Sequence, residues 1–102
     1  MQAAVATWTE WQKTIGRSGR IKITESRTRR FMAAWNELLD RNMTKWRWVC
    51  RRCTRNALLA GKAGNWGGAD FDWVLRQDKL VMILEDRRYP ENYDAAEQPG
   101  AA

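Results

Sequence analysis

The sequence predicts an all-α fold, a single compact domain of four to five short helices with a Gly/Trp-rich loop. Three observations lead there. Apolar residues recur at helical spacing in three successive stretches. Residue types that cap helices stand ahead of most of the helical stretches. Gly61, Gly64, Gly67 and Gly68 crowd into one segment, where a regular helix would be costly and a loop is expected. The 102 residues suffice for one core and are too few for two. A helical domain is therefore expected over 1–93, followed by a disordered tail over 94–102 with nothing to pack.

The elements follow in order. Ala4, Trp8, Trp11 and Ile15 form one stripe of a first helix over Ala3–Ile15, with Gly16 as its C-cap. Ile21-Lys22-Ile23 reads as an extended connector. Thr24 is the N-cap of a second helix that runs to Arg41. Phe31, Ala34, Trp35, Leu38 and Leu39 make its inward stripe. Asn42 reads as a stop, and Thr44 as the cap of a third helix from Lys45 to Arg55. There Trp46, Val49, Cys50 and Cys53 face inward, while Trp48, Arg51, Arg52 and Arg55 take the opposite side. Gly61–Gly68 is expected to fold Trp66 back over the core. Asp70 and Asp78 then cap helices over Phe71–Gln77 and Lys79–Arg87. The expected core is Trp11, Ile15, Phe31, Trp35, Leu38, Trp46, Val49, Cys53, Leu58, Phe71, Trp73, Leu75, Leu80, Ile83 and Leu84.

Charge is unevenly spread. Residues 1–56 carry 13 Lys/Arg against 4 Asp/Glu, and residues 57–102 carry 5 against 8, so the front half holds all of the net +6. A basic front suggests a polyanionic partner. Seven tryptophans exceed what a core of this size needs, and Trp beside Arg suits a binding surface. No apolar run approaches the ~20 residues that span a bilayer. The N-terminus lacks a signal-peptide pattern. Two cysteines without a disulfide framework point to the reducing cytoplasm. The chain has no histidine, which removes the commonest general base and metal ligand, so a non-enzyme without cofactor or metal is expected.

Three motifs resolve to structural readings. Cys50-Arg-Arg-Cys53 has CxxC spacing, but a structural zinc needs four ligands, and this pair lies mid-helix on the apolar stripe. Buried thiols are expected. Gly61-Lys-Ala-Gly-Asn-Trp-Gly-Gly68 lacks the order of a phosphate-binding loop and no strand precedes it. Asp70 and Asp72 point to different helix faces, so they form no acid/base dyad. Asp72 is expected either to be exposed or to receive an arginine from the third helix.

The basic residues carry the functional signal. Arg17, Arg20 and Lys22 lie in a Gly/Ser-rich turn, Arg27 and Arg30 near a helix start, and Lys45, Arg47, Trp48, Arg51, Arg52 and Arg55 along the third helix. Phosphate recognition needs cations spread along one face, and single-strand binding adds an aromatic for base stacking. Arginine's planar fork suits phosphate. These eleven residues are the expected nucleic-acid-binding site, with Trp48 as the stacking aromatic.

The segment from Asn56 also resembles a known family. Leu58–Gly61, Asn65-Trp66-Gly67, Ala69-Asp-Phe-Asp-Trp-Val-Leu75, Val81–Glu85 and Arg88-Tyr89 look like the closing module of phage and prophage replication proteins. Those are helicase loaders or replisome organisers of DnaD/DnaT-like type. Trp11 and Ile23-Thr24-Glu25-Ser26-Arg27 extend the likeness toward the N-terminus. Gln77 and Asp86 depart from the pattern, where a proline and a glycine are frequent. The resemblance implies a replication module that binds DNA, single-stranded by preference, and contacts a replicative helicase or its loader. The alternative is a small phage-encoded inhibitor of a host nucleic-acid-handling complex, of the anti-CRISPR type.

Overall fold

The computed structural model describes residues 1–85 and 88–94. Its five helices are α1 (Gln2–Lys13), α2 (Glu25–Glu37), α3 (Met43–Arg55), α4 (Phe71–Val74) and α5 (Gln77–Leu84), and no strand occurs among the described residues. The expected end of the last helix at Arg87 and, apart from Asp94, the expected tail over 94–102 lie outside the described residues.

Trp46 organises the core. Its ring is fully buried on α3 and meets Trp8 of α1 at 6.2 Å, Phe31 of α2 at 5.2 Å and Phe71 of α4 at 6.0 Å. Its indole N–H would be costly to bury unpaired, and it donates to the Ala4 carbonyl at 2.9 Å. Removing roughly 200 Å² of indole from water at about 25 cal/mol per Å² stabilises the fold by about 5 kcal/mol as an upper bound. Leu39, Val49, Cys50, Cys53, Leu59, Val74, Leu80 and Ile83 are fully buried with Trp46.

Local chemistry sets the boundaries. α1 ends in a Schellman turn: Gly16 at φ 82° donates to the Lys13 carbonyl, and the Arg17 N–H donates to Gln12. Thr24 caps α2, its hydroxyl accepting from the Arg27 N–H at 3.1 Å. The helix stops at Glu37, short of the expected Arg41, because Asp40 and Arg41 both adopt left-handed backbone at φ 52° and 55°. Asn42, expected as a stop, instead caps α3 by accepting from the Thr44 N–H at 2.8 Å, so Thr44 is not the cap. Asp70 caps α4 as expected, accepting from the Trp73 N–H at 2.7 Å. α4 closes after a single turn, and α5 opens at Gln77 with Asp78 inside its first turn and not at the cap.

Two core expectations are corrected. Leu58 is 39% exposed and Leu59 takes the buried place. The chain makes one further helical turn after α3, closed by the Lys62 N–H to the Ala57 carbonyl and Gly61 at φ 75°, which rotates Leu59 inward. Trp66 is 37% exposed and rests on Trp73, not on the core. Trp11, Trp35, Leu38, Trp73 and Leu84 are half-buried and pack against the core from its rim. No helix among the described residues is long and apolar enough to cross a membrane.

Candidate nucleic-acid interface

The eleven basic and aromatic residues singled out from the sequence divide into two groups. The first group is engaged within the fold. Arg17 follows the α1 turn and reaches across to the glycine loop. Its guanidinium donates to Gln12 Oε1 at 3.0 Å and to the carbonyls of Ala69 at 3.0 Å, Ala60 at 3.3 Å and Gly67. Gly61 and Gly68 permit that approach, since a side-chain carbon at either would overlap Arg17 Nη2 at 2.7 or 2.4 Å. A planar fork with several fixed donors can serve several carbonyls at once. Arg17 therefore fastens the loop to α1, and both of its terminal nitrogens are engaged.

Arg27 grips Asp72 in a bidentate pair, with Nε at 3.0 Å and Nη2 at 2.8 Å, and also donates to the Lys22 carbonyl. Arg30 adds a third contact to Asp72 at 3.3 Å. The arginines that reach Asp72 thus come from α2 and not from α3. Hydrogen bonding from Arg27 holds the Asp72 carboxyl below the usual carboxylate range, against a smaller opposing effect of burial.

Arg52 and Trp48 also depart from expectation. Arg52 is buried, lies over the Trp48 ring at 4.5 Å and donates to the Tyr89 carbonyl at 2.8 Å. Trp48 is half-buried against the core rim, one wall of a groove of about 280 Å³ shared with Leu38, Lys45 and Leu84. It is not the open stacking surface the sequence suggested. Lys45 pairs with Asp40. Spacing carried a signal for Arg52: it lies three residues after buried Val49, beside the core stripe.

The second group faces solvent. Arg20, Lys22 and Arg47 are exposed and Arg55 half-exposed, and none has an ion-pair partner among the described residues. Arg29, on the open side of α2, joins them. Arg47, Arg51 and Arg55 recur every four residues, so they share one outer face of α3. Arg51 meets Glu91 at 3.1 Å, both half-exposed, a pairing of the kind worth under about 1 kcal/mol in water.

The end of α3 is bound to the last described segment. The Asn92 and Tyr93 N–H groups donate to the Arg55 carbonyl at 2.8 and 2.9 Å, and Asn56 Nδ2 donates to the Pro90 carbonyl at 2.8 Å. The first two replace water at a carbonyl that the end of the helix leaves unpaired. They hold the backbone beneath Arg51 and Arg55 in one geometry.

Cys50 and Cys53 are both fully buried in the core. Burial pushes both thiols up, Cys53 to about 12, so neither is a thiolate at neutral pH. Among the described residues no group of three or more Cys, Asp or Glu side chains stands close enough together to hold a metal ion.

The arrangement offers a cationic ridge on α3 and two exposed cations, Arg20 and Lys22, on the α1–α2 connection. Against known proteins, no family model matches this chain, and neither the curated proteins nor the solved structures provide a match.

Proposed function

We propose that the chain is a non-enzymatic DNA-binding module of the replication type, favouring single strands. The observation that carries this reading is the Arg47/Arg51/Arg55 stripe on the outer face of α3. Two of its members lack a carboxylate among the described residues, and the third has only a weak surface partner that a phosphate could displace. The +9 excess of the first 56 residues supports attraction of a polyanion to the same half of the chain. The resemblance of Leu58–Tyr89 to phage and prophage replication proteins supports the replication context and suggests a replicative helicase or its loader as protein partner.

Fluorescence anisotropy with a labelled single strand and the matching duplex, across a salt series, tests the reading. Three phosphate contacts on a single strand give a slope of about −2 in log K against log salt. A variant with Arg47, Arg51 and Arg55 all changed to Ala should lose most of that slope while keeping its thermal melt. Binding to neither nucleic acid, or an unchanged slope in the variant, would overturn it.

A second reading draws on the groove of Leu38, Lys45, Trp48 and Leu84, whose apolar walls suit a protein side chain. In that case the chain inhibits a host nucleic-acid-handling complex. A stoichiometric partner retained from host lysate after nuclease treatment, and lost on Leu84→Asp, is the expected result. Capture that disappears with nuclease would exclude it.

A further inference from the structure

Trp66 is the only one of the seven tryptophans that is exposed rather than buried or half-buried. Holding an indole partly in water forgoes stabilisation that burial would supply. The loop that carries it is nevertheless firmly held. Arg17 binds the carbonyls of Ala60, Gly67 and Ala69, and the Ala69 N–H donates to Leu59 at 2.8 Å. The ring therefore stands on a fixed base, and its inner side rests on Trp73 at 5.0 Å and 53°. Trp73 in turn meets Tyr89 edge-on at 6.2 Å. Lys79 of α5 places its ammonium 5.7 Å from the Trp73 ring centre, so a cation adjoins the aromatic pair.

This row leads to the arginine ridge. Tyr89 accepts from Arg52, Glu91 pairs with Arg51, and the next two residues donate to Arg55. Segment 89–93 thus joins the row Trp66–Trp73–Tyr89 to the C-terminal end of α3. A strand whose phosphates follow the ridge would reach a partly exposed indole, with a lysine over the Trp73 ring on which that indole rests. Unpaired bases have free π-faces, whereas duplex bases spend theirs on stacked neighbours, so an exposed indole discriminates between the two.

We propose that Trp66 is a base-stacking platform for single-stranded nucleic acid, with Lys79 as an adjoining phosphate contact. The proposal rests on the DNA-binding reading above and replaces Trp48 with Trp66 as the stacking aromatic. Anisotropy with a labelled single strand and its duplex would compare wild type, Trp66→Phe, Trp66→Ala and Lys79→Gln, with circular dichroism melts confirming the fold. Trp66→Ala should bind the single strand roughly ten-fold more weakly, leave duplex affinity unchanged, and be rescued to within about three-fold by Trp66→Phe. Lys79→Gln should reduce the salt slope. Wild-type indole emission should be quenched by the strand, and Trp66→Phe should lose that quenching while still binding.

Wild-type binding that Trp66→Ala leaves intact would overturn the platform and spare the DNA-binding reading. If Trp66→Ala fails to fold, quenching that persists in Trp66→Phe overturns the platform instead. Absence of binding to either nucleic acid by the wild type would overturn both.

Discussion

Arg17→Met should destabilise this protein far more than its position in a surface turn suggests. The side chain makes four hydrogen bonds, three of them partly shielded from water, to Gln12, Ala60 and Ala69. The fourth, to Gly67, lies in solvent, and water can replace it at little cost. Charge-assisted bonds of the shielded kind contribute about 1.5–3 kcal/mol each when fully buried, and partial exposure reduces that to ~1 kcal/mol each. Truncation therefore costs about 3 kcal/mol, a large share of the roughly 5–15 kcal/mol that holds a small domain together. At about 4–8 °C per kcal/mol, the melting temperature should fall by roughly 12–24 °C. Arg17→Lys keeps the charge but concentrates its donors on one nitrogen, so it should recover less than half of the loss. Arg20→Ala, which removes a nearby exposed cation with no protein partner among the described residues, should stay within about 0.5 kcal/mol of wild type. Thermal melts followed by circular dichroism give all three values. A fall of under about 5 °C for Arg17→Met, or an equal fall for Arg20→Ala, would refute the assignment of Arg17 as the tie between α1 and the loop.

Three other outcomes are expected. Gly68→Ala should destabilise by more than about 2 kcal/mol, because the added carbon would meet Gly61 N and Leu59 O at 2.6 Å with φ at 96°, whereas Gly64→Ala, in open space, should cost only about 1 kcal/mol of left-handed strain; urea titrations separate the two. Asp72→Asn should lower stability by under about 1 kcal/mol at neutral pH, since the pair is partly exposed; because the folded carboxyl is held below 3.8, that difference should fade as pH falls below about 4, and a difference that persists at pH 2 would contradict the ion-pair origin. The buried thiols act with the opposite sign: the unfolded chain loses their protons from about pH 9 while the folded chain keeps them, so stability should drop by about 1.4 kcal/mol per pH unit per thiol above pH 9, and a Cys50→Ala/Cys53→Ala variant should show a shallower alkaline slope in urea unfolding.

The sequence revealed what depends on period. The stripes Phe31/Ala34 and Trp46/Val49/Cys50/Cys53 are continuous in helical spacing, and both are buried. Thr24 and Asp70 were legible as caps because each precedes its helix without a competitor. The cap of α3 was not, since Asn42 and Thr44 both qualify and only backbone geometry separates them. The early end of α2 carried no glycine or proline to mark it; Asp40 and Arg41 reach left-handed backbone without either.

Roles that depend on distant partners stayed hidden. Arg17, Arg27 and Arg52 look like solvated charges in the sequence, yet their partners lie 37 to 52 residues away. Charge counting reads such residues as available for a ligand, and only the tertiary fold shows that they are engaged within the protein. The outer stripe of α3 survives that correction because helical spacing alone places Arg47, Arg51 and Arg55 on one side.

α3 is held from both directions along the chain. Trp46 near its start bonds to Ala4 of α1, and Arg52 and Arg55 at its end bond to residues 89–93. Individual helices can therefore flicker into shape early, but the bonds that fix them must wait for closure of loops some 40 residues long. Folding should be slower than in helical bundles built from neighbour-to-neighbour contacts, and amides of α1, α3 and segment 89–93 should exchange with solvent at a common rate set by global opening.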